Sequence, residues 1–236
     1  MRIAISGSHC MGKSTLIGDF LSEWQSYELP EKSYRHVLND LNLPHSSEST
    51  KETQKAILDF MCKQVKEYDK EKNVIYDRCP LDNLVYSMWL YHHGKSDIDE
   101  EFIGECIPKV RTALKEIDII FYIPITKVVP TPEYVDNGFR DKDPNTRIEI
   151  DNLFKLLSVE NRENPKSNYF EHDDKPPIIE IFGSRHERIQ IMKLYLDGDG
   201  DAVAPDENLF GDENITMEDI EALEALTKPE PKKTRR

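Results

Sequence analysis

Apolar positions along this chain follow two alternating rhythms. Short unbroken runs occur at 2–6 (Arg-Ile-Ala-Ile-Ser), 73–77, 118–123 and 177–182, with a weaker one near 27–30. Each is long enough for a buried strand and too short for a helix. Between them the apolar residues recur at helical spacing. Ala56, Ile57, Phe60, Met61, Val65 and Tyr68 form one stripe, and stretches 14–21, 81–91 and 98–115 carry others. Strands separated by helices of this length predict the α/β class, with a parallel sheet of about five strands covered by helices on both faces.

Capping signals sharpen the boundaries. Ser49 with Glu52, Thr146 with Glu149, and Ser184 with Glu187 all have the spacing of a capping box before an apolar stripe. Pro108 falls inside the 98–115 stretch and is expected to kink or split it. From residue 197 the helical rhythm fails, and Asp, Glu, Gly and Pro dominate as far as the basic end Lys232-Lys233-Thr234-Arg235-Arg236. The expected organisation is one folded domain over 1–196 and an acidic, flexible tail over 197–236 with a short helix at 217–226. Asp197-Gly198-Asp199-Gly200-Asp201 has the acids of a calcium loop, but Ala202 stands where that loop needs glycine and Asn208 where it needs a bidentate acid. It therefore reads as solvated linker.

Composition narrows the class of partner. The 236 residues are 38% hydrophobic and 32% charged, which suits one sizeable core in a soluble body. The formal net charge of -14 disfavours a broad nucleic-acid face. Residues 197–236 hold twelve acids against five bases, so half of that charge belongs to the tail. No run has the length of a membrane span and no secretory leader pattern follows Met1, which makes a cytoplasmic location the expectation. Cys10, Cys62, Cys79 and Cys106 are scattered without a paired spacing, and the seven histidines lack metal-ligand spacing.

The candidate chemistry begins where the first strand ends. Gly7-Ser8-His9-Cys10-Met11-Gly12-Lys13-Ser14 is a complete Walker A loop, and Thr15 follows it into a helical stretch. In that setting glycines allow the tight turn, backbone N–H groups enclose phosphate, Lys13 supplies a point charge and the Ser14 hydroxyl reaches Mg²⁺. Asp77 closes a second apolar strand and is followed at once by Arg78. A carboxylate and a guanidinium emerging together at a strand's carboxyl end suit Mg²⁺ and phosphate. Tyr86 and Trp89, on the helix that follows, are candidates to stack on a base.

These motifs, together with Asp136-Asn137-Gly138-Phe139-Arg140 and Arg147, resemble the P-loop nucleoside and nucleotide kinases. The likeness is nearest to the ribosylnicotinamide-kinase and phage AAA-labelled ATPase subgroup, with thymidylate and deoxynucleoside kinases more distant, and it spans about 1–196. It implies the three-layer P-loop NTPase fold, ATP and Mg²⁺ as cofactors, and a lid over 126–147 carrying Arg140 and Arg147. It also implies Glu31 as general base near the acceptor, Arg35 as an acceptor-side cation, and Gly183 with Ser184 beside the adenine.

The expected activity is transfer of the γ-phosphate to a small-molecule nucleoside or nucleoside monophosphate. The alternatives are a kinase acting on a hydroxymethylated base or an end in DNA, and a regulatory NTPase or nucleotide-sensing module. A homodimer and a protein partner for the tail are compatible with the sequence, and nucleic acid is not favoured.

Overall fold

The computed structural model describes residues 1–94, 96–126 and 143–203. The predicted tail helix at 217–226 and lid residue Arg140 lie outside the described residues. Five strands, β1 (Arg2–Ser6), β2 (Tyr27–Glu28), β3 (Asn73–Asp77), β4 (Ile119–Tyr122) and β5 (Ile178–Glu180), form one sheet in the order β2-β3-β1-β4-β5. Every pairing is parallel. The helices are α1 (Lys13–Glu23), α2 (Tyr34–Asp40), α3 (Lys51–Glu67), α4 (Pro80–His93), α5 (Glu100–Leu114), α6 (Pro144–Glu163) and α7 (Arg185–Met192).

The period of two along each strand divides the core. Ala4, Val74, Tyr76, Ile120 and Tyr122 face one buried cluster with residues of α4, α5 and α6. Ile3, Ile5, Ile75, Ile119 and Phe121 face a second with residues of α1 and α7. Strands buried on both faces lose the polar-out alternation of a half-exposed sheet, which is why the runs read as continuously apolar. The three-layer α/β expectation holds. The central β1 carries the Walker A loop, with the ends of β3 and β4 on either side, so chain segments from three strands converge at one edge.

Local boundaries needed four corrections. The cap of α3 is Thr50, whose hydroxyl accepts from the Thr53 N–H at 3.3 Å; Ser49 lies one residue outside, its carbonyl taken by Ser96 Oγ at 2.7 Å. The cap of α6 is Asp143, accepting from the Asn145 N–H at 2.9 Å, and Thr146 is buried inside the first turn. Proline at the first helical position moves that start three residues earlier than the Thr146–Glu149 pattern suggests, because Pro has no N–H to leave unsatisfied there. Pro108 does not split α5, which runs unbroken from Glu100 to Leu114. The Ser184–Glu187 box forms as read, with Ser184 Oγ accepting from the Glu187 N–H at 3.3 Å.

The fourth correction concerns 197–201. This segment is a tight docked turn and no solvated linker. Asp197 Oδ1 accepts the N–H groups of Asp199 and Asp201, both at 2.9 Å, while Trp24 Nε1 donates to the Asp197 carbonyl at 2.8 Å. Tyr27 donates its hydroxyl to the Gly200 carbonyl at 2.6 Å. The compact body accordingly runs to Ala202, which bridges back to Leu196. Among the described residues no helix is long and apolar enough to cross a membrane.

Candidate active site

The loop between β1 and α1 is shaped by backbone geometry that side chains disfavour. Gly7 has φ 137°, and a Cβ there would come within 3.0 Å of the Ile123 carbonyl oxygen. Gly12 has φ 80° and caps α1 with no side-chain bond. The first turn of α1 also contains no acid. Its leading N–H groups and dipole are left available to an anion. Ser8 Oγ is buried with no protein partner among the described residues, a polar atom that a phosphate or its water would satisfy.

Lys13 is buried and folds back onto its own loop, donating to the carbonyls of Gly7 at 2.9 Å and Ser8 at 2.5 Å. Burial first, and the Arg78 cation second, lower its pKa to about 7, against the pull of Asp77 and Asp82. Two carbonyl dipoles are a weak partner for a buried ammonium, so the fold holds this charge at a cost that a polyanion would relieve.

At the end of β3 the chain turns sharply. Arg78 adopts φ 77°, unusual for a non-glycine residue, and its side chain is held by three groups. It donates to the Gly7 carbonyl at 3.1 Å, to Asp82 Oδ1 at 2.8 Å and to the Tyr86 hydroxyl at 3.2 Å. The Tyr86 ring lies 4.9 Å from its guanidinium carbon. Asp82 also accepts from Ser6 Oγ at 2.7 Å and from the Cys79 N–H at 3.1 Å. Asp82 thus ties the end of β1 to the start of α4. Its place was readable in the sequence: with Pro80 at the first helical position, Asp82 falls where an acid reaches back to cap.

One cavity of about 190 Å³ joins these parts. Its phosphate end is lined by His9, Cys10, Met11, Gly12, Lys13, Ser14 and Thr15, its middle by Asp77, Arg78 and Asp82. The lining continues with Tyr34, Arg35, Tyr86 and Trp89, with apolar Leu38, Ile57 and Met61, and with Gln54 and Asn83 as buried amides. Asn83 Nδ2 donates to Gln54 Oε1 at 2.8 Å, while Asn83 Oδ1 is buried without a partner among the described residues. Arg35 Nε is likewise buried without a hydrogen-bond partner among the described residues.

Of the residues singled out from sequence, His9 to Thr15, Arg35, Asp77, Arg78 and Tyr86 meet at this cavity, while Gly7 and Ser8 are outside its lining and bonded to Lys13 through their carbonyls. Glu31 does not join them; it is exposed and lies outside the lining. Its loop leaves β2 after two residues, and the place in the lining is taken instead by Tyr34 and Arg35 of α2, a helix that no sequence pattern announced. Arg147 is half-buried in the first turns of α6, outside the lining, though its neighbour Thr146 belongs to it. Gly183 and Ser184 lie before α7 and also fall outside the lining, but Arg188 links them to the loop, donating to the carbonyls of Gly183 at 3.1 Å and Met11 at 2.8 Å.

Strand order, glycine-shaped loop and buried lysine together define a P-loop NTPase fold. A family model described as AAA domain matches residues 2–164, well over half of the sequence. The chain belongs to this AAA domain family. Among solved structures it is similar to a NadR protein in complex with NR, with a TM-score of 0.57 and 17% identity over 86% of this chain and 53% of that chain. It is similar to deoxyadenosine kinase from M. mycoides with dCMP and dCDP bound (TM-score 0.58, 13% identity, 82% of this chain and 97% of that one). It is also similar to thymidylate kinase from Candida albicans (TM-score 0.50, 12% identity, 81% and 89%). At such identities the likeness establishes the fold alone, a P-loop NTPase fold that this chain shares with those proteins. The chain spans about half the length of the NadR protein. No curated protein sequence matches it.

Proposed function

We propose that the chain is an ATP-dependent phosphotransferase that passes the γ-phosphate to a small nucleoside or nucleotide. The observation that carries this reading is the continuity of the cavity. The phosphate-binding loop shares one cavity with Tyr34, Tyr86 and Trp89 and with a buried amide pair, Gln54 and Asn83. A switch or a simple hydrolase has no use for an aromatic, amide-bearing lining beside its phosphate loop. The NR, dCMP and dCDP held by the similar proteins are ligands of the same chemical class.

In this reading Lys13 leaves the carbonyls of Gly7 and Ser8 and turns its charge to the triphosphate, while the N–H groups opening α1 hold the remaining oxygens. The Ser14 hydroxyl and Asp77 carboxylate fit Mg²⁺, a hard cation that takes few protein oxygens and completes its shell with phosphate and water. Bound there, Mg²⁺ would neutralise charge on the transferred group. Asp82 serves otherwise, because Ser6, Cys79 and Arg78 already engage its carboxylate. Arg35 supplies the acceptor-side cation. Catalysis rests on positioning and fixed charge, which is most of what phosphoryl transfer requires.

The test is acceptor-dependent ADP formation, followed by a coupled assay with MgATP and a panel of nucleosides, nucleoside monophosphates and ribosylnicotinamide. Stimulation by at least one acceptor, lost in Lys13→Ala, is expected. An ATP turnover that no acceptor stimulates contradicts the proposal.

A further inference from the structure

A phosphate-binding loop points its N–H groups inward, so its carbonyls must turn outward, and each buried carbonyl then needs a donor from behind. Gly7 O is met by Arg78 at 3.1 Å, and Gly12 O by the N–H of Leu16 at 2.9 Å within α1. Met11 O, in the middle of the turn, is met at 2.8 Å by Arg188, which comes from α7, far along the chain.

Arg188 is an unusual choice for that task. It is buried, with a relative exposure of 9%, and no carboxylate pairs with it among the described residues; it donates instead to the Met11 and Gly183 carbonyls. Burial pulls its pKa down from the ordinary arginine value. Its Nη1 lies 3.4 Å from where a Cβ on Gly12 would stand, directly behind the turn that opens α1. A neutral donor would satisfy one carbonyl without the cost of desolvating a cation. A guanidinium adds two things: a rigid fork that spans two segments, and a charge whose compensating anion is missing from the described residues.

We infer that Arg188 is a positioning residue that fixes the phosphate loop to the Gly183 segment and lends its unpaired charge to a polyphosphate bound on the loop's other face. The inference rests on the reading of the loop as a nucleotide site. It assigns α7 a part in holding the phosphate donor, although none of its side chains lines the cavity.

Binding of MgATP, MgADP and AMP to the full chain, measured by calorimetry, tests both halves. Lys13→Ala checks the underlying reading, and Arg188→Lys, Arg188→Gln and Arg188→Met check the inference. Arg188→Met is expected to weaken MgATP by at least about tenfold, MgADP by less and AMP least, since a charge effect grows with the number of phosphates. Arg188→Lys keeps the charge and recovers most of the MgATP affinity; Arg188→Gln keeps a donor without charge and recovers less. At saturating MgATP the turnover number of Arg188→Lys stays within about threefold of wild type, so the effect falls on KM.

Equal weakening of all three nucleotides, or Gln recovering more than Lys, overturns the charge role. Unchanged MgATP affinity in Arg188→Met overturns the inference entirely. Absence of MgATP binding to the wild-type chain instead overturns the nucleotide reading beneath it. Should Arg188→Met fail to fold, the Lys and Gln pair decides by the same ordering.

Discussion

Arg78 and Asp82 form a buried ion pair, 2.8 Å between nitrogen and oxygen, with side-chain exposures of 8% and 1%. The partners stand only four residues apart, Arg78 before α4 and Asp82 in its first turn, yet the pair joins three elements: Arg78 continues to the phosphate loop through Gly7 O, and Asp82 continues to β1 through Ser6 Oγ. Removing one partner leaves the other charged and without water. Asp82→Asn is therefore expected to destabilise the fold by about 3–5 kcal/mol in urea unfolding, because a broken buried pair costs far more than a surface one. A loss below about 1 kcal/mol would mean that the pair is solvated in solution.

Lys13 gives a pH dependence with a definite sign. Its pKa in the folded, unliganded protein falls to about 7 from the ordinary lysine value of 10.5. Between those values the unfolded chain holds a proton that the folded chain does not. The Lys13 contribution to stability thus increases as pH rises through this window, and below it the fold carries a desolvated cation. Lys13→Met should flatten the slope and stabilise the unliganded protein at neutral and lower pH. MgATP binding at about pH 8 should take up a fraction of a proton as Lys13 regains its charge, seen by calorimetry in buffers of different ionisation heat and absent in Lys13→Met.

The turn at 197–202 is held by Trp24 and Tyr27 and not by its own aspartates alone. Gly200 sits at φ 88°, and a Cβ there would lie 2.6 Å from the Tyr27 ring. Gly200→Ala should cost more than about 1 kcal/mol, since the new side chain meets both strain and a ring. Tyr27→Phe, which loses only the bond to Gly200 O, should cost about 1 kcal/mol. Both are checked by chemical denaturation. Neither should change MgATP affinity, because the turn docks at the end of α1 remote from the phosphate loop.

The amide pair predicts a separation of donor from acceptor binding. Gln54 Oε1 receives Asn83 Nδ2 at 2.8 Å and Ser87 Oγ at 3.4 Å, which fixes both amides in the cavity lining. Gln54→Leu should raise the acceptor KM by about tenfold or more, while the KM for MgATP stays within about twofold. Parallel loss of both affinities would place these amides in the scaffold alone.

The sequence disclosed these features unequally. The phosphate loop and Asp77-Arg78 were legible because their chemistry is written in consecutive residues following apolar strands. The sheet was legible for a related reason: strands buried on both faces produce the unbroken runs at 2–6, 73–77 and 118–123. The Gln54–Asn83 pair escaped because its role arises from a contact between distant segments, and each residue reads locally as an ordinary helical one; for Asp82 the capping position is legible and the bonds to Ser6 and Arg78 are not, and for Arg188 the contact with Met11 is not. Glu31 was named by the resemblance alone; where it stands depends on the path after β2, which leaves it exposed and brings Tyr34 and Arg35 of α2 to the cavity lining.

The proposed reaction is one event, transfer of phosphorus from a nucleotide on the loop to an acceptor in the same cavity. Incubation with γ-labelled ATP, Mg²⁺ and the acceptor panel, followed by separation of all labelled species, reads it directly. Label is expected in a phosphorylated nucleoside or nucleotide, in amounts matching the ADP formed, and in no product when Lys13→Ala replaces the wild-type chain. Label recovered only as inorganic phosphate, whatever acceptor is supplied, would contradict it.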